Sequence, residues 1–298
     1  MVPHVNFDGL AASIGATLAT ALDSRPAGRV QGGSINECYR WESRGGPVFV
    51  KIAPSDKLSM LCAEAAGLEE LRRAQAVRVP RVLGVGAYET NTWLALEWIP
   101  CGARSAAAAA ALGERLALQH RHTAAAFGWR LDNTIGSTPQ PNGWLEDWLV
   151  FFRERRLRFQ LDLAARNGYT GKLQRRGATL LEYLGELFTA YRPTPALLHG
   201  DLWGGNWASD PLGQPVIFDP AVYYGDREAD LAMTRLFGGF GADFYAAYEA
   251  GWALDSGART RTGLYNLYHV LNHANLFGGG YVAQALSLVE RLLAEVKS

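Results

Sequence analysis

Residues 199–220 read HGDLWGGNWASDPLGQPVIFDP, and the rest of the chain is best understood outward from them. Two short apolar runs, 196–199 and 215–218, flank a turn at Asp210-Pro211-Leu212-Gly213, the pattern of a small hairpin. Asp201 follows the first run and Asp219 closes the second. Asp201 lies five residues before Asn206 and eighteen before Asp219, the spacing of a phosphotransferase catalytic loop and its metal-binding aspartate. That chemistry divides its labour. One carboxylate accepts a hydrogen bond from an attacking hydroxyl, while another, with an amide oxygen, holds a hard Mg²⁺ ion against nucleotide phosphates. Asp201 is the expected base, and Asn206 and Asp219 the expected ligands. Ordinary turns also use Asp and Asn to satisfy local backbone donors, but two such segments at matched spacing favour the catalytic reading.

Toward the N-terminus the pattern is a small mixed layer. Val48, Val50 and Ile52 alternate with Phe49 and Lys51 after the turn Arg44-Gly45-Gly46-Pro47, a strand entered from a hairpin. Helices over 7–23 and 56–73 and strands over 37–42, 82–88 and 92–99 complete the expected lobe. Gly32, Gly33 and Ser34 precede the strand pair. A glycine-rich turn lets backbone N–H groups approach phosphate oxygens, and Lys51 adds a compact positive charge. Taken singly, the glycines read as a plain hairpin turn and Lys51 as a solvated edge-strand residue. Glu64 shifts the balance, because it lies three residues after Leu61 and four before Leu68, on the inward stripe of its helix. An ionised carboxylate there is costly unless paired, and Lys51 is the nearest cation of suitable reach. A slight rotation of the helix would instead leave Glu64 at the rim.

After Pro100-Cys101-Gly102 long helices take over, expected at 105–125, 143–167, 173–191 and again from about 226. The spacing predicts an α+β chain of two lobes: residues 1–100, a small sheet with one key helix, and residues 101–298, larger and mainly helical. Within the second lobe, Arg153, Arg155, Arg156 and Arg158 read as a solvated basic face, with recognition of an acidic or phosphorylated group as the alternative. His120 and His122 read as surface or capping residues at a helix end. His269 and His273 are four apart but lack an HExxH pattern and a third ligand, so no metal is expected there. Trp203, inside the catalytic loop, offers an aromatic face to a sugar or aliphatic acceptor.

Composition narrows the function classes. The 298 residues are 48% hydrophobic and 19% charged, enough to bury a sizeable core. Twenty-nine basic residues balance twenty-nine acidic ones, so the chain has no general electrostatic footprint for nucleic acid or an anionic membrane. Cys38, Cys62 and Cys101 are an odd number without metal-ligand spacing and fit a reducing, cytoplasmic setting. The apolar stretch from Gly9 to Leu22 has no Lys or Arg before it and reads as a terminal helix rather than a leader. The alanine run 106–111 is too short to span a bilayer. The oligomeric state stays open, a monomer included.

From about Val30 to about Gln284 the chain resembles the fructosamine kinase, or ketosamine-3-kinase, family, whose fold is similar to that of protein kinases and aminoglycoside phosphotransferases. The likeness rests on GGSIN at 32–36, RGGPVFVK at 44–51, AEAAGLEEL at 63–71, the TPQPNGW segment at 138–144, HGDLWGGN, FDPAVYYGDREADLAM at 218–233 and LNHANLFGGGY at 271–281. An HGDxxxxN loop alone also fits aminoglycoside, choline or homoserine kinases, whereas Trp203 together with TPQPNGW points to the named family. The resemblance implies transfer of the γ-phosphoryl of ATP to the O3 hydroxyl of a ketosamine, free or protein-bound, whose product is labile. It implies Asp201 as base, Asn206 and Asp219 on Mg²⁺, Lys51 with Glu64 as phosphate clamp, and Gly32, Gly33 and Ser34 in the nucleotide loop. It further implies adenine contacts from the backbone of Glu97 and Ile99, and Asp230 bracing the catalytic loop from a helix start. Ser34 stands where relatives often carry Cys, Asp or Glu, so redox behaviour of a loop cysteine does not carry over. A kinase of another small hydroxyl compound is one rival; the basic character of residues 144–158 disfavours a cationic antibiotic as its substrate. The other rival is a non-catalytic ATP-binding scaffold. Against that stands the presence of Lys51, Glu64, Asp201, Asn206 and Asp219 together.

Overall fold

Strand alternation in the N-terminal sheet sorts side chains to two faces, and one of those faces turns toward helix 58–73. The computed structural model describes residues 5–30 and 36–296. It contains helix α1 (Phe7–Leu18) and strands β1 (Gly28–Arg29), β2 (Glu37–Trp41) and β3 (Val48–Pro54). Helix α2 (Leu58–Arg73) and strands β4 (Val82–Tyr88) and β5 (Asn91–Glu97) follow. The strands form one antiparallel sheet in the order β1-β2-β3-β5-β4. Val48, Val50 and Ile52 face α1 and pack with Leu10, Ile14, Trp41 and Trp93. On the opposite face Ala53, Leu94 and Leu96 join Leu61 and Leu68 of α2 in the main core. Lys51 lies on this second face, which is why it points at α2.

Helix α1 ends at Leu18, short of the expected 23. Ala19 adopts the left-handed conformation, and the chain leaves to pair Leu22 with Ser43 and to offer the Asp23 carbonyl to the Trp41 indole at 2.7 Å. A run of Ala, Leu and Thr carries no stop signal, so only this tertiary pull sets the boundary.

The second part is mainly helical. Helix α3 (Ala106–His120) is capped by Ser105, whose hydroxyl accepts from the Ala108 N–H at 3.1 Å. Strands β6 (Asn133–Ile135) and β7 (Thr138–Gln140) form a small hairpin. The expected helix over 143–167 begins later, as α4 (Trp148–Phe151), passes through a π-helical turn at Phe152–Arg158, and ends as α5 (Phe159–Arg166). Helix α6 (Lys172–Tyr183) precedes strands β8 (Ala196–Leu198), β9 (Trp207–Ser209), β10 (Pro215–Ile217) and β11 (Tyr223–Gly225). Helices α7 (Glu228–Leu236), α8 (Ala242–Gly251), α9 (Ala258–Phe277) and α10 (Gly280–Glu295) complete the fold. Among the described residues no helix is long and apolar enough to cross a membrane.

The expected pairing of 196–199 with 215–218 is corrected by the structure. The turn at 210–213 is real, but β10 pairs with β9 and β8 pairs with β11. The reason is local: Asp210 Oδ1 accepts from the N–H groups of Leu212 and Gln214, both at 2.9 Å, so the turn closes on its immediate flanks. Strand β8 is thereby left free to take β11, which brings the two ends of the quoted stretch together: the Ala221 N–H donates to the His199 carbonyl at 2.8 Å.

Candidate active site

The loop after β8 is held from beneath by one carboxylate. Asp230, in the first turn of α7, accepts from the backbone N–H groups of His199 at 2.7 Å and Gly200 at 2.8 Å, and from His120 Nε2 at 3.1 Å. Burial works against ionisation of Asp230, but these donors outweigh it and hold its pKa below the usual range. Because His120 Nε2 donates to Asp230, its Nδ1 accepts from the Tyr248 hydroxyl at 2.8 Å. Gly200 has φ +83°, and a Cβ there would run into the Ala221 carbonyl. Only glycine lets the loop cross the segment after Asp219 this closely. His199 is buried and neutral: burial lowers its pKa, its Nε2–H donates to the Phe218 carbonyl at 3.0 Å, and its Nδ1 accepts from the Asp201 N–H at 3.3 Å.

The structure brings five expected polar residues together. Asn206 Nδ2 donates to the Asp201 carbonyl at 2.9 Å and to Asp201 Oδ2 at 3.2 Å, and also lies 3.5 Å from the Asp219 carbonyl. Lys51 Nζ reaches across from the sheet and lies 2.5 Å from both Glu64 Oε1 and Asp219 Oδ1. Burial alone would lower the Lys51 pKa, but Asp219 and Glu64 overcome it and hold the ammonium charged. Burial, with Asp219 as a lesser cause, pushes the Glu64 carboxyl up despite Lys51. Asp201 is raised well above the ordinary range by burial and by the nearby Asp219 charge. Asp219 itself has φ +58°, a left-handed conformation that Asp tolerates better than most residues. A residue held there by its surroundings is typical of a working site.

Two oxygens in this cluster remain open. Asn206 turns its amide nitrogen toward Asp201, and neither Asn206 Oδ1 nor Asp219 Oδ2 takes a hydrogen bond from a described residue. A carboxylate and an amide oxygen are hard donors that suit Mg²⁺, which keeps few protein ligands and takes phosphate oxygens and waters for the rest. No group of three or more His, Cys, Asp or Glu able to hold a metal occurs among the described residues. His273 Nδ1 lies 2.8 Å from the His269 carbonyl.

Of the remaining expected residues, Gly32, Gly33 and Ser34 lie outside the described residues. The Glu97 N–H is bonded to the Arg81 carbonyl at 2.8 Å, which removes that donor from ligand recognition, and Ile99 is buried beside it. Trp203 is exposed, its ring lying over Gly205.

Three residues carry roles that the pattern reading missed. His120 is fully buried beneath the catalytic loop, not a surface cap. Leu112, Leu116 and His120 recur every four residues on one helical face, so the signal was present. Arg156 is buried rather than solvated, donating to the Pro141 carbonyl at 2.7 Å and to Asn142 Oδ1 at 2.6 Å, its guanidinium 4.1 Å from the centroid of the Tyr223 ring. It lies in the π-helical turn, where the extra residue per turn breaks the period that sorts faces. Arg78 links the two parts of the chain, with Glu97 at 2.9 Å on one side and Asp210 at 2.6 Å on the other.

Comparison with known proteins identifies the family. A family model described as fructosamine kinase matches residues 8–295. A probable ketoamine kinase of Synechocystis sp. is 45% identical over 265 residues, covering 89% of each chain. A chloroplastic protein-ribulosamine 3-kinase of Arabidopsis thaliana is 41% identical over 274 residues, covering 91% of this chain and 83% of the relative. The crystal structure of a candidate fructosamine-3-kinase from Thermobifida fusca superposes with a TM-score of 0.85 at 32% identity, over 96% of this chain and 99% of that one. An ADP-bound aminoglycoside phosphotransferase at 14% identity and a TM-score of 0.60, covering 89% and 93%, shares the fold alone. With the lysine, the two acidic segments and the loop assembled as described, the chain belongs to the fructosamine kinase family of phosphotransferases.

Proposed function

We propose that this chain transfers the γ-phosphoryl group of ATP to the O3 hydroxyl of a ketosamine and so promotes deglycation. The observation that carries the reading is the cluster in which Lys51 joins Glu64 to Asp219 while Asn206 joins Asp219 to Asp201. On this reading residues 1–100 form the nucleotide-binding lobe and residues 101–298 the catalytic and acceptor-binding lobe. Asp201 accepts a hydrogen bond from the O3 hydroxyl and aligns it. As the new O3–P bond forms, the bond from the γ-phosphorus to the β–γ bridging oxygen breaks, ADP leaves, and the hydroxyl proton passes to Asp201. The transition state is loose, so alignment and charge stabilisation outweigh proton removal. Lys51, oriented by Glu64, balances charge on the α and β phosphates. Asn206 Oδ1 and Asp219 would hold Mg²⁺, which would neutralise charge on the nucleotide phosphates. Gly32, Gly33 and Ser34 are assigned to the nucleotide loop, and the Glu97 carbonyl with the Ile99 backbone meets the adenine. Trp203 stacks on the sugar.

The designation of a plant relative as a protein-ribulosamine 3-kinase supports ketosamines as acceptors, protein-bound ones included. Three free thiols suit a cytoplasmic setting. The test is coupled ADP release with Mg²⁺·ATP against ribulosamine and fructosamine adducts of lysine, an aminoglycoside and choline. Release with a ketosamine, lost in Asp201→Asn, is expected. Release only with another acceptor overturns the substrate assignment, and no release with any acceptor overturns the catalytic one.

A further inference from the structure

The catalytic loop opens onto a row of aromatic rings, of which the mechanism uses only the first. Trp203 meets Phe237 edge-on with centroids 6.3 Å apart, and Phe237 meets His273 at 4.9 Å. His273 then meets Phe277 at 5.5 Å and Tyr281 at 5.1 Å. Trp203, Phe237 and Phe277 are 40%, 41% and 60% exposed. Single exposed rings are common on protein surfaces, whereas a continuous exposed apolar row marks a contact site.

The backbone fixes this row relative to Asp201. A Cβ on Gly204 would sit 3.0 Å from the Gly238 carbonyl and 3.3 Å from Gly239 Cα, so the turn that follows Phe237 is packed directly on the catalytic loop. Gly238 and Gly239 reach that approach with φ of +72° and +95°. A second pair, Gly278 and Gly279 with φ +64° and +60°, turns α9 into α10 and sets Phe277 and Tyr281 beside His273.

The row is also uncharged. His273 Nδ1 faces the His269 carbonyl, which can only accept, so Nδ1 carries the proton. Burial lowers the pKa of the ring and keeps it neutral. An uncharged aromatic row that begins two residues from Asp201 suits an apolar extension of the acceptor, not a charged one. In a ketosamine that extension is the substituent on the amine nitrogen. A glycated lysine within a peptide presents methylenes and neutral backbone there, whereas an adduct of a free amino acid presents an ionised carboxylate.

We propose that Phe237, His273, Phe277 and Tyr281 bind the amine-side substituent of the acceptor and select adducts of apolar amines over adducts of charged amino acids. This rests on the ketosamine reading above, and the experiment separates the two. Dissociation constants are measured by calorimetry for two adducts of one ketose, with benzylamine and with glycine, while ADP release is followed separately. The wild type is expected to bind the benzylamine adduct about tenfold more tightly, the scale of burying part of one ring. Phe277→Ala, at a position 60% exposed, is expected to bring that ratio close to one. Equal affinities in the wild type, no measurable binding of either adduct, or a ratio unchanged by Phe277→Ala each overturns the assignment. Selective binding without ADP release would keep it and overturn the reaction instead. A shift from dimer to monomer in Phe277→Ala with the ratio unchanged would make the row a contact between copies.

Discussion

Replacing Asp230 by Asn changes a single atom beneath the catalytic loop, and the structure sets the size of the effect. The carboxylate serves the N–H groups of His199 and Gly200 on separate oxygens, with His120 sharing the first. An amide can place its oxygen toward only one of them, so its NH₂ must face a buried N–H. One charge-assisted bond worth about 1.5–3 kcal/mol is lost and one buried donor is left unsatisfied at about 1–3 kcal/mol, which together come to roughly 2.5–6 kcal/mol. At about 2–4 °C per kcal/mol for a chain of this size, Tm should fall by roughly 10 °C. Since Asp201 adjoins Gly200, kcat should fall far more than KM for ATP changes. The Asp230 pKa is lowered in the fold, so its stabilisation is present above the ordinary aspartate pKa and is lost as pH falls through the lowered one. The stability gap between wild type and Asp230→Asn should therefore narrow in acid. Scanning calorimetry and ADP release decide the matter: a Tm shift below about 2 °C, or an unaltered kcat, would refute the bracing role.

Other substitutions probe the remaining parts. Asp201→Asn should lower kcat by roughly 10²–10⁴ and leave nucleotide affinity nearly unchanged, read by steady-state kinetics and ADP binding. Gly200→Ala forces a side chain into the Ala221 carbonyl at φ +83°, so turnover should collapse together with a Tm loss; a fully active variant would contradict the close crossing. Burial pushes His269 down to about 3, below its unfolded value, so its contribution is present above pH 6.5 and lost as pH falls. Between pH 7.5 and 5.5, His269→Phe should lose about 1.4 kcal/mol less stability than wild type in denaturant titrations, and equal losses would place the ring in water.

Much of the site could be read from residue spacing because its members lie in short segments with few conformational choices. Asp201 and Asn206 share one loop, and the Leu61, Glu64, Leu68 stripe already turned Glu64 toward Lys51. What spacing did not show was partnership at a distance. The exchange of partners between β8, β9, β10 and β11 depends on how Asp210 closes its turn, an effect of one side chain on backbone donors. His120 was misplaced because a polar residue at a helix end usually caps, and only Asp230, far along the chain, gives it a reason to be buried. Arg156 was misplaced because the π-helical turn shifts which side chains face inward, and its partners are carbonyls and rings rather than a carboxylate that charge patterning would reveal.

The packing of α2 sets how this enzyme can be controlled. Gly67 brings the helix backbone against Val222, close enough that a Cβ would lie 3.2 Å from its side chain, and Glu70 accepts from the Tyr224 hydroxyl at 2.8 Å. In kinases that are switched on and off, the helix bearing the glutamate swings away and breaks the pair with lysine. Here the helix is fastened at two points just after Glu64 to the segment that follows Asp219, and Glu64 is paired with Lys51. Such a helix cannot swing out without breaking the Tyr224–Glu70 hydrogen bond and lifting Gly67 off Val222.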